Sequence, residues 1–150
     1  MALKKDRIRA VFDTNLFITR FIKHNRYGIN RRVIDLWQEQ RKIQLIISPH
    51  LRDEYLYVLE NYVKVSKYRL ETLKIRLETA SYISLVNSGK RFYLSRDPKD
   101  NMLIDTAHIG KAKFLITCDK DLLEIPKYEL KGFRFEIFTP FEFLRQIGEI

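Results

Sequence analysis

Four acids, Asp13, Glu54, Asp100 and Asp119, are spread along a chain of 150 residues, and each stands next to a segment boundary from which a side chain can be aimed at a common point. Four carboxylates pressed together repel one another strongly, and such a group is tolerable chiefly when a cation neutralises it. Their hard oxygen donors favour Mg²⁺ or Mn²⁺ over softer metals. An ion held in this way activates water, binds a non-bridging phosphate oxygen and offsets charge on a leaving oxygen, which is the chemistry of phosphodiester hydrolysis. That chemistry needs no histidine or serine nucleophile.

The elements that must position these acids follow from the apolar pattern. Ile8-Arg9-Ala10-Val11-Phe12 reads as a short strand, and Asp13-Thr14-Asn15 behind it opens a helix carrying Leu16, Phe17 and Phe21. After a polar loop around His24-Asn25-Arg26-Tyr27-Gly28, the residues Val33, Ile34, Leu36 and Trp37 keep helical spacing behind an Asn30 cap. Ile43-Gln44-Leu45-Ile46-Ile47 is a second strand, and Ser48-Pro49 supplies a helix cap with proline at the first helical position. The helix so started is expected to turn Leu51, Tyr55, Val58 and Leu59 inward, with Glu54 about one and a half turns along it. A further helical pattern over 67–80 makes a helical hairpin with it. Residues 82–86 read as a strand, Asn87-Ser88-Gly89 as a turn and 100–110 as a helix with Gly110 as its stop. Strands over 113–117 and 134–138 follow, with Asp119-Lys120-Asp121 just past the first of them, and Thr139-Pro140 opens a final helix.

Strands alternating with helices imply an α/β fold with a parallel sheet flanked on both faces, and such sheets place their ligand sites outside the carboxyl ends of the strands. Asp13 and Asp119 both follow strands, so that rim is where they are expected to meet. Asp100, near the start of its helix, and Glu54 can point back over it.

Length and composition bound the rest. One domain spanning 1–150 is the expectation, and 45% hydrophobic residues with only five Gly and four Pro exclude a disordered chain. The single cysteine, Cys118, excludes an internal disulfide framework and fits a reducing, cytoplasmic compartment. No stretch approaches the roughly 20 apolar residues of a membrane-spanning helix. A formal charge of +9 predicts a positive field that concentrates a polyanion, whether RNA, DNA or an acidic protein. Basic residues collect over 20–42 (Arg20, Lys23, Arg26, Arg31, Arg32, Arg41, Lys42) and again over 64–76. Most read as solvated helix faces, with a phosphate-contact role for a minority.

Val11-Phe12-Asp13-Thr14-Asn15 resembles the opening motif of PIN domains, a strand ending in Asp-Thr-Asn. Arg96-Asp97-Pro98-Lys99-Asp100-Asn101 is similar to the segment bearing the family's third acid, and Leu115-Ile116-Thr117-Cys118-Asp119-Lys120-Asp121-Leu122-Leu123 to its fourth-strand motif. The 49–59 helix with Glu54 resembles the second-acid segment, and the likeness covers about residues 8–145. The resemblance implies that Asp13, Glu54, Asp100 and Asp119 are the catalytic acids, with Asp13, Asp100 and Asp119 close enough to share Mg²⁺ or Mn²⁺. It implies supporting roles for Asn15 and Thr117 and an accessory role for Asp121. It also implies a three-layer α/β/α fold with strand order 3-2-1-4-5, ribonuclease activity on RNA, a homodimer or higher assembly and, in prokaryotes, a toxin silenced by an antitoxin protein. Asn101 departs from the pattern, because relatives often carry another acid there.

Plainer readings stand beside these. Asp-Thr-Asn after a strand is by itself a helix cap, Glu54 alone is a solvated helix residue with Asp53 and Glu60 as competitors, and Asp121 alone begins a short helix. Asp97 reads as a loop residue before proline and Asp105 as structural. His24, His50 and His108 lack paired metal spacing, and Cys118 lacks a basic partner, which makes a packed thiol the expectation. Tyr55, Tyr57 and Tyr62 read as core or dimer contacts. Phosphatases that use Asp-x-Asp after the first strand are a poor match to Asp13-Thr14-Asn15, and no Gly-rich nucleotide loop occurs. The rival reading is a catalytically inactive RNA-binding or regulatory domain of the same fold.

Overall fold

The β-branched and aliphatic runs become five strands: β1 (Ile8–Phe12), β2 (Ile43–Ile47), β3 (Ile83–Leu85), β4 (Phe114–Ile116) and β5 (Glu136–Phe138). In the computed structural model, which describes residues 7–22, 28–87 and 98–150, they form one all-parallel sheet in the order β3-β2-β1-β4-β5. The 24–27 part of the polar loop, Ser88 and Gly89 of the expected turn, and Arg96 and Asp97 lie outside the described residues. A central strand covered on both faces is mostly apolar, and β2 is buried along its whole length, its one polar residue, Gln44, being satisfied by the Ser81 carbonyl and the Ser84 hydroxyl.

Register decides which helix covers which face. Ala10 pairs with Leu45 and with Phe114, and Phe12 with Ile116, so these side chains share one face of the pleat. The helix α2 (Ile29–Gln38) lays Trp37 edge-on to Phe12 at 5.7 Å, and α7 (Pro140–Gln146) brings Phe143 to 5.2 Å from Phe114 on that same face. Ile46 points the other way, toward α5 (Pro98–Ile109), which packs against β1, β2 and β4. The result is the expected three-layer α/β fold.

Between β1 and α2 the chain turns through α1 (Thr14–Ile18) and a 3-10 turn, Thr19–Phe21. Between β2 and β3 it forms α3 (Pro49–Val58), extended by a π turn, Leu59–Val63, and α4 (Lys67–Thr79), which packs on α3 and β3. The short α6 (Lys120–Leu123) follows β4. Element ends differ from the pattern-based expectation by one or two residues, as fraying ends do. α2 is capped by Gly28 rather than by Asn30, which lies inside its first turn. Of the residues expected to turn inward from α3, Leu51, Tyr55 and Leu59 are buried, whereas Val58 is only half-buried. Among the described residues no helix is long and apolar enough to cross a membrane.

Gly110 follows α5 for a different reason from the one expected. The left-handed residue that ends the helix is Lys111, at φ 52°. Gly110 is there because a Cβ would stand 2.2 Å from Ile46 Cγ2 and 3.0 Å from the Thr106 carbonyl oxygen, so the helix end could not approach β2. Gly110→Ala is therefore expected to destabilise the fold by about 1–3 kcal/mol in urea unfolding. The same substitution in an Ile46→Ala background should cost much less; an equal cost in both backgrounds would contradict the packing explanation.

Candidate metal centre

β1 and β4 are neighbours, and each ends at the same height, so the residues leaving them meet. Asp13 is 7% exposed and its carboxylate is held from three sides. Oδ1 caps α1 by accepting the Leu16 backbone N–H at 2.7 Å, while Oδ2 accepts the Thr117 hydroxyl at 2.5 Å and the Cys118 N–H at 3.3 Å. Thr117, fully buried and 104 positions away, also accepts the Asp119 N–H on its hydroxyl oxygen at 2.9 Å. One hydroxyl thus links the first acid to the backbone that presents the fourth. Asp119 caps α6 through Oδ1, which accepts the Asp121 N–H.

The second acid arrives on α3. Ser48 caps that helix and shares a hydroxyl–hydroxyl hydrogen bond of 2.8 Å with Thr106 of α5, tying the two helices at the rim. Tyr55 is fully buried, donates its hydroxyl to the Phe12 carbonyl at the end of β1, and stacks on Phe17 with ring centroids 3.9 Å apart. These contacts leave the preceding residue, Glu54, facing the cleft, where its Oε2 accepts the Thr14 hydroxyl.

Asp13, Glu54, Asp100 and Asp119 line one open cleft of about 220 Å³, together with Thr14 and Asn15 and the apolar walls Val58 and Leu103. Asp100 is 4% exposed on the first turn of α5, whereas Asn15 is exposed. The tightest acidic group among the described residues is Asp100, Asp119 and Asp121, each with an oxygen within 4.8 Å of the others. Asp13 borders the same cleft while its two oxygens serve Leu16, Thr117 and Cys118, and Asp121 stands in the close trio instead.

An all-oxygen donor set with one deeply buried carboxylate fits a hard divalent cation, which would relieve the mutual repulsion of the acids. Burial, first, and the charge of Asp119 raise the pKa of Asp13 above its ordinary 3.8, against the opposing hydrogen bonds from Thr117, Leu16 and Cys118. Burial also pushes the Tyr55 hydroxyl well up, with Asp13 and Glu54 adding to it, so that hydroxyl stays a donor at neutral pH.

One neighbour differs from expectation. Cys118 is exposed, not packed, and its backbone N–H reaches Asp13. Tyr55 is a core residue, while Tyr57 and Tyr62 are 58% and 73% exposed. Asp105 is buried in α5, Asn101 is buried beside Asp100, Asp53 is exposed against Arg52, and His50 and His108 are exposed. Thr14 and Tyr55 were not singled out from sequence as holding the site. A threonine beside a cap and a tyrosine in a helix carry no local signal of partners some 40 positions away.

The chain is similar to known proteins over most of its length. A family model described as a PIN domain matches residues 9–121. A protein of Methanocaldococcus jannaschii, itself described as uncharacterized, is 32% identical over 151 residues, spanning 96% of this chain and 94% of the relative.

Because its folded-state pKa is raised, Asp13 holds its proton more tightly folded than unfolded. In the metal-free protein its contribution to stability is full below about pH 3.8 and is lost as pH rises through the folded-state value. Carboxyl ¹³C NMR titration in EDTA is expected to place Asp13 above 3.8, to move it higher in Thr117→Val and lower in Asp119→Asn. Shifts of the same sign in both variants would contradict the opposed contributions of hydrogen bond and charge.

Proposed function

The chain belongs to the PIN-domain family, whose members are generally nucleases, and we propose that it is an Mg²⁺- or Mn²⁺-dependent endoribonuclease acting through Asp13, Glu54, Asp100 and Asp119. The observation that carries this is the convergence of acids from β1, α3, α5 and the end of β4 on one cleft, with three carboxylates in mutual ligand range. Asp100, Asp119 and Asp121 would hold the ion, with Asp13 at its edge. When bound, a divalent cation supplies Lewis acidity that lowers the pKa of water and offsets charge on the phosphodiester.

The chain's own groups do the rest. Thr117 and the Leu16 and Cys118 N–H groups orient the Asp13 carboxylate, so it needs no reorganisation on reaction. Thr14 holds one oxygen of Glu54, and the other is left to take a proton from the attacking water. Hydrolysis then forms one P–O bond to that water, breaks one to the leaving oxygen and returns a proton to the latter. The apolar walls Val58 and Leu103 narrow the access of bulk water.

Beyond the chemistry, the family likeness supports a toxin role with a cognate antitoxin protein, in one domain spanning 1–150, located in the cytoplasm. It supports a homodimer as well, with the exposed Tyr57 and Tyr62 on the α3 extension as contacts of the right chemistry.

Purified protein is expected to cleave single-stranded RNA with Mg²⁺ or Mn²⁺ and to stop in EDTA. Asp119→Asn and Asp13→Asn should each lose on the order of 10²-fold or more in kcat, and Thr117→Val about 10–100-fold. Equal cleavage by Asp13→Asn would mean that another enzyme or another site is responsible. RNA binding by the wild type without cleavage under any of these conditions would favour the regulatory reading.

A further inference from the structure

The two basic stretches of the sequence meet in space, away from the acids. Arg20 sits in the 3-10 turn after α1, and Arg69 and Arg76 sit two turns apart on one stripe of α4. All three line an open cleft of about 150 Å³ beside β3, with Phe21, Tyr68 and Tyr82 among its walls. Arg31, Lys42, Arg52 and Lys74 each have a carboxylate within 4.0 Å; among the described residues Arg20, Arg69 and Arg76 have none. Burial lowers the pKa of Arg20, with the charges of Arg31 and Arg76 adding to the shift, yet a guanidinium stays charged at neutral pH. Glu39 offsets part of this charge from farther away, but among the described residues no carboxylate stands within 4.0 Å of the three guanidinium groups.

The walls narrow the chemistry of the missing anion. Arg69 lies 5.4 Å and Arg20 5.8 Å from the centre of the Phe21 ring, and the Arg41 guanidinium covers Tyr82 at 3.7 Å. Tyr68 is 81% exposed at the edge. Guanidinium forks match phosphate oxygens, and aromatic and guanidinium planes stack on unpaired bases. Single-stranded RNA offers phosphates and bare base faces together, whereas a duplex hides the faces and an acidic polypeptide has carboxylates but few planar groups.

We propose that this arginine and aromatic cleft is a second contact for single-stranded RNA, an anchor that holds the strand several nucleotides from the acid cleft. The assignment rests on the ribonuclease reading for its meaning. Arg20 is roughly 12 Å of helix rise beyond Asp13, so a strand seated among the acids reaches the arginines within a few nucleotides. Such an anchor sets a minimum substrate length and favours cuts at a fixed spacing from the held segment. It recognises backbone and base faces without reading sequence.

The test is fluorescence anisotropy with a labelled single-stranded RNA of about twelve nucleotides in EDTA, where nothing is cut. Arg69→Ala/Arg76→Ala, both exposed, should bind at least about 10-fold more weakly, and two lost phosphate contacts should flatten the slope of log affinity against log salt by about 1.4. A charge-matched control on another exposed surface, Lys127→Ala/Lys131→Ala, should change affinity by less than about 2-fold. Equal losses in the arginine variant and the lysine control would overturn the site in favour of a diffuse field. Unchanged RNA affinity with lost binding of polyglutamate would overturn it in favour of an acidic protein partner. Failure of the nuclease reading is read separately, as wild-type protein that never cleaves RNA in Mg²⁺ or Mn²⁺ whatever the arginine variant binds.

Discussion

A carboxylate taken almost out of water and set beside another carboxylate is the feature around which the rest is arranged. Asp13 stays buried because three donors reach it, and each comes from an element that must be in place for the bond to form: α1 through Leu16, and the end of β4 through Thr117 and Cys118. β1 and β4 must therefore be adjacent and parallel, and the neighbouring residues Thr117 and Cys118 must leave β4 level with Asp13. The same constraint explains Tyr55, whose hydroxyl satisfies the buried carbonyl at the end of β1 and whose ring clamps α1 to α3. Precise placement of Glu54 is a by-product of that clamp.

Charge is separated within the molecule as well as summed. The net charge of +9 would draw any polyanion toward the surface, while the rim of the sheet carries enough acid to push a phosphate away. A cation among the acids would reconcile the two, and the arginines beside β3, with no carboxylate within 4.0 Å among the described residues, would offer the strand a place to rest that needs no metal. Attraction and chemistry are thereby assigned to different surfaces joined by one short helical segment.

Much of this was legible in the chain. Apolar, β-branched runs and helical spacing located the five strands and the main helices, and the strand-end acids pointed to the rim that carries the cleft. Thr117 was legible too, standing two places before an acid as the resemblance requires. What could not be read is what depends on contacts between distant segments. Gly28 rather than Asn30 caps α2, Gly110 is required by the Ile46 side chain rather than by its own backbone angle, and Cys118 is exposed while its N–H is engaged by Asp13. The convergence of Arg20 with Arg69 and Arg76 was invisible for the same reason, since each stretch alone looks like a solvated helix face.

The central claim is that acids from four separate segments converge on one cleft, in which Asp100, Asp119 and Asp121 would hold a hard divalent cation. A crystal of the protein soaked in Mn²⁺, with anomalous scattering collected at the manganese edge, tests it without relying on activity. A peak in the cleft at coordination distance from the Asp100 and Asp119 carboxylates, absent from Asp119→Asn crystals, is the outcome the account predicts. Saturating Mn²⁺ with no peak there, or with the ion bound only elsewhere on the surface, would contradict it.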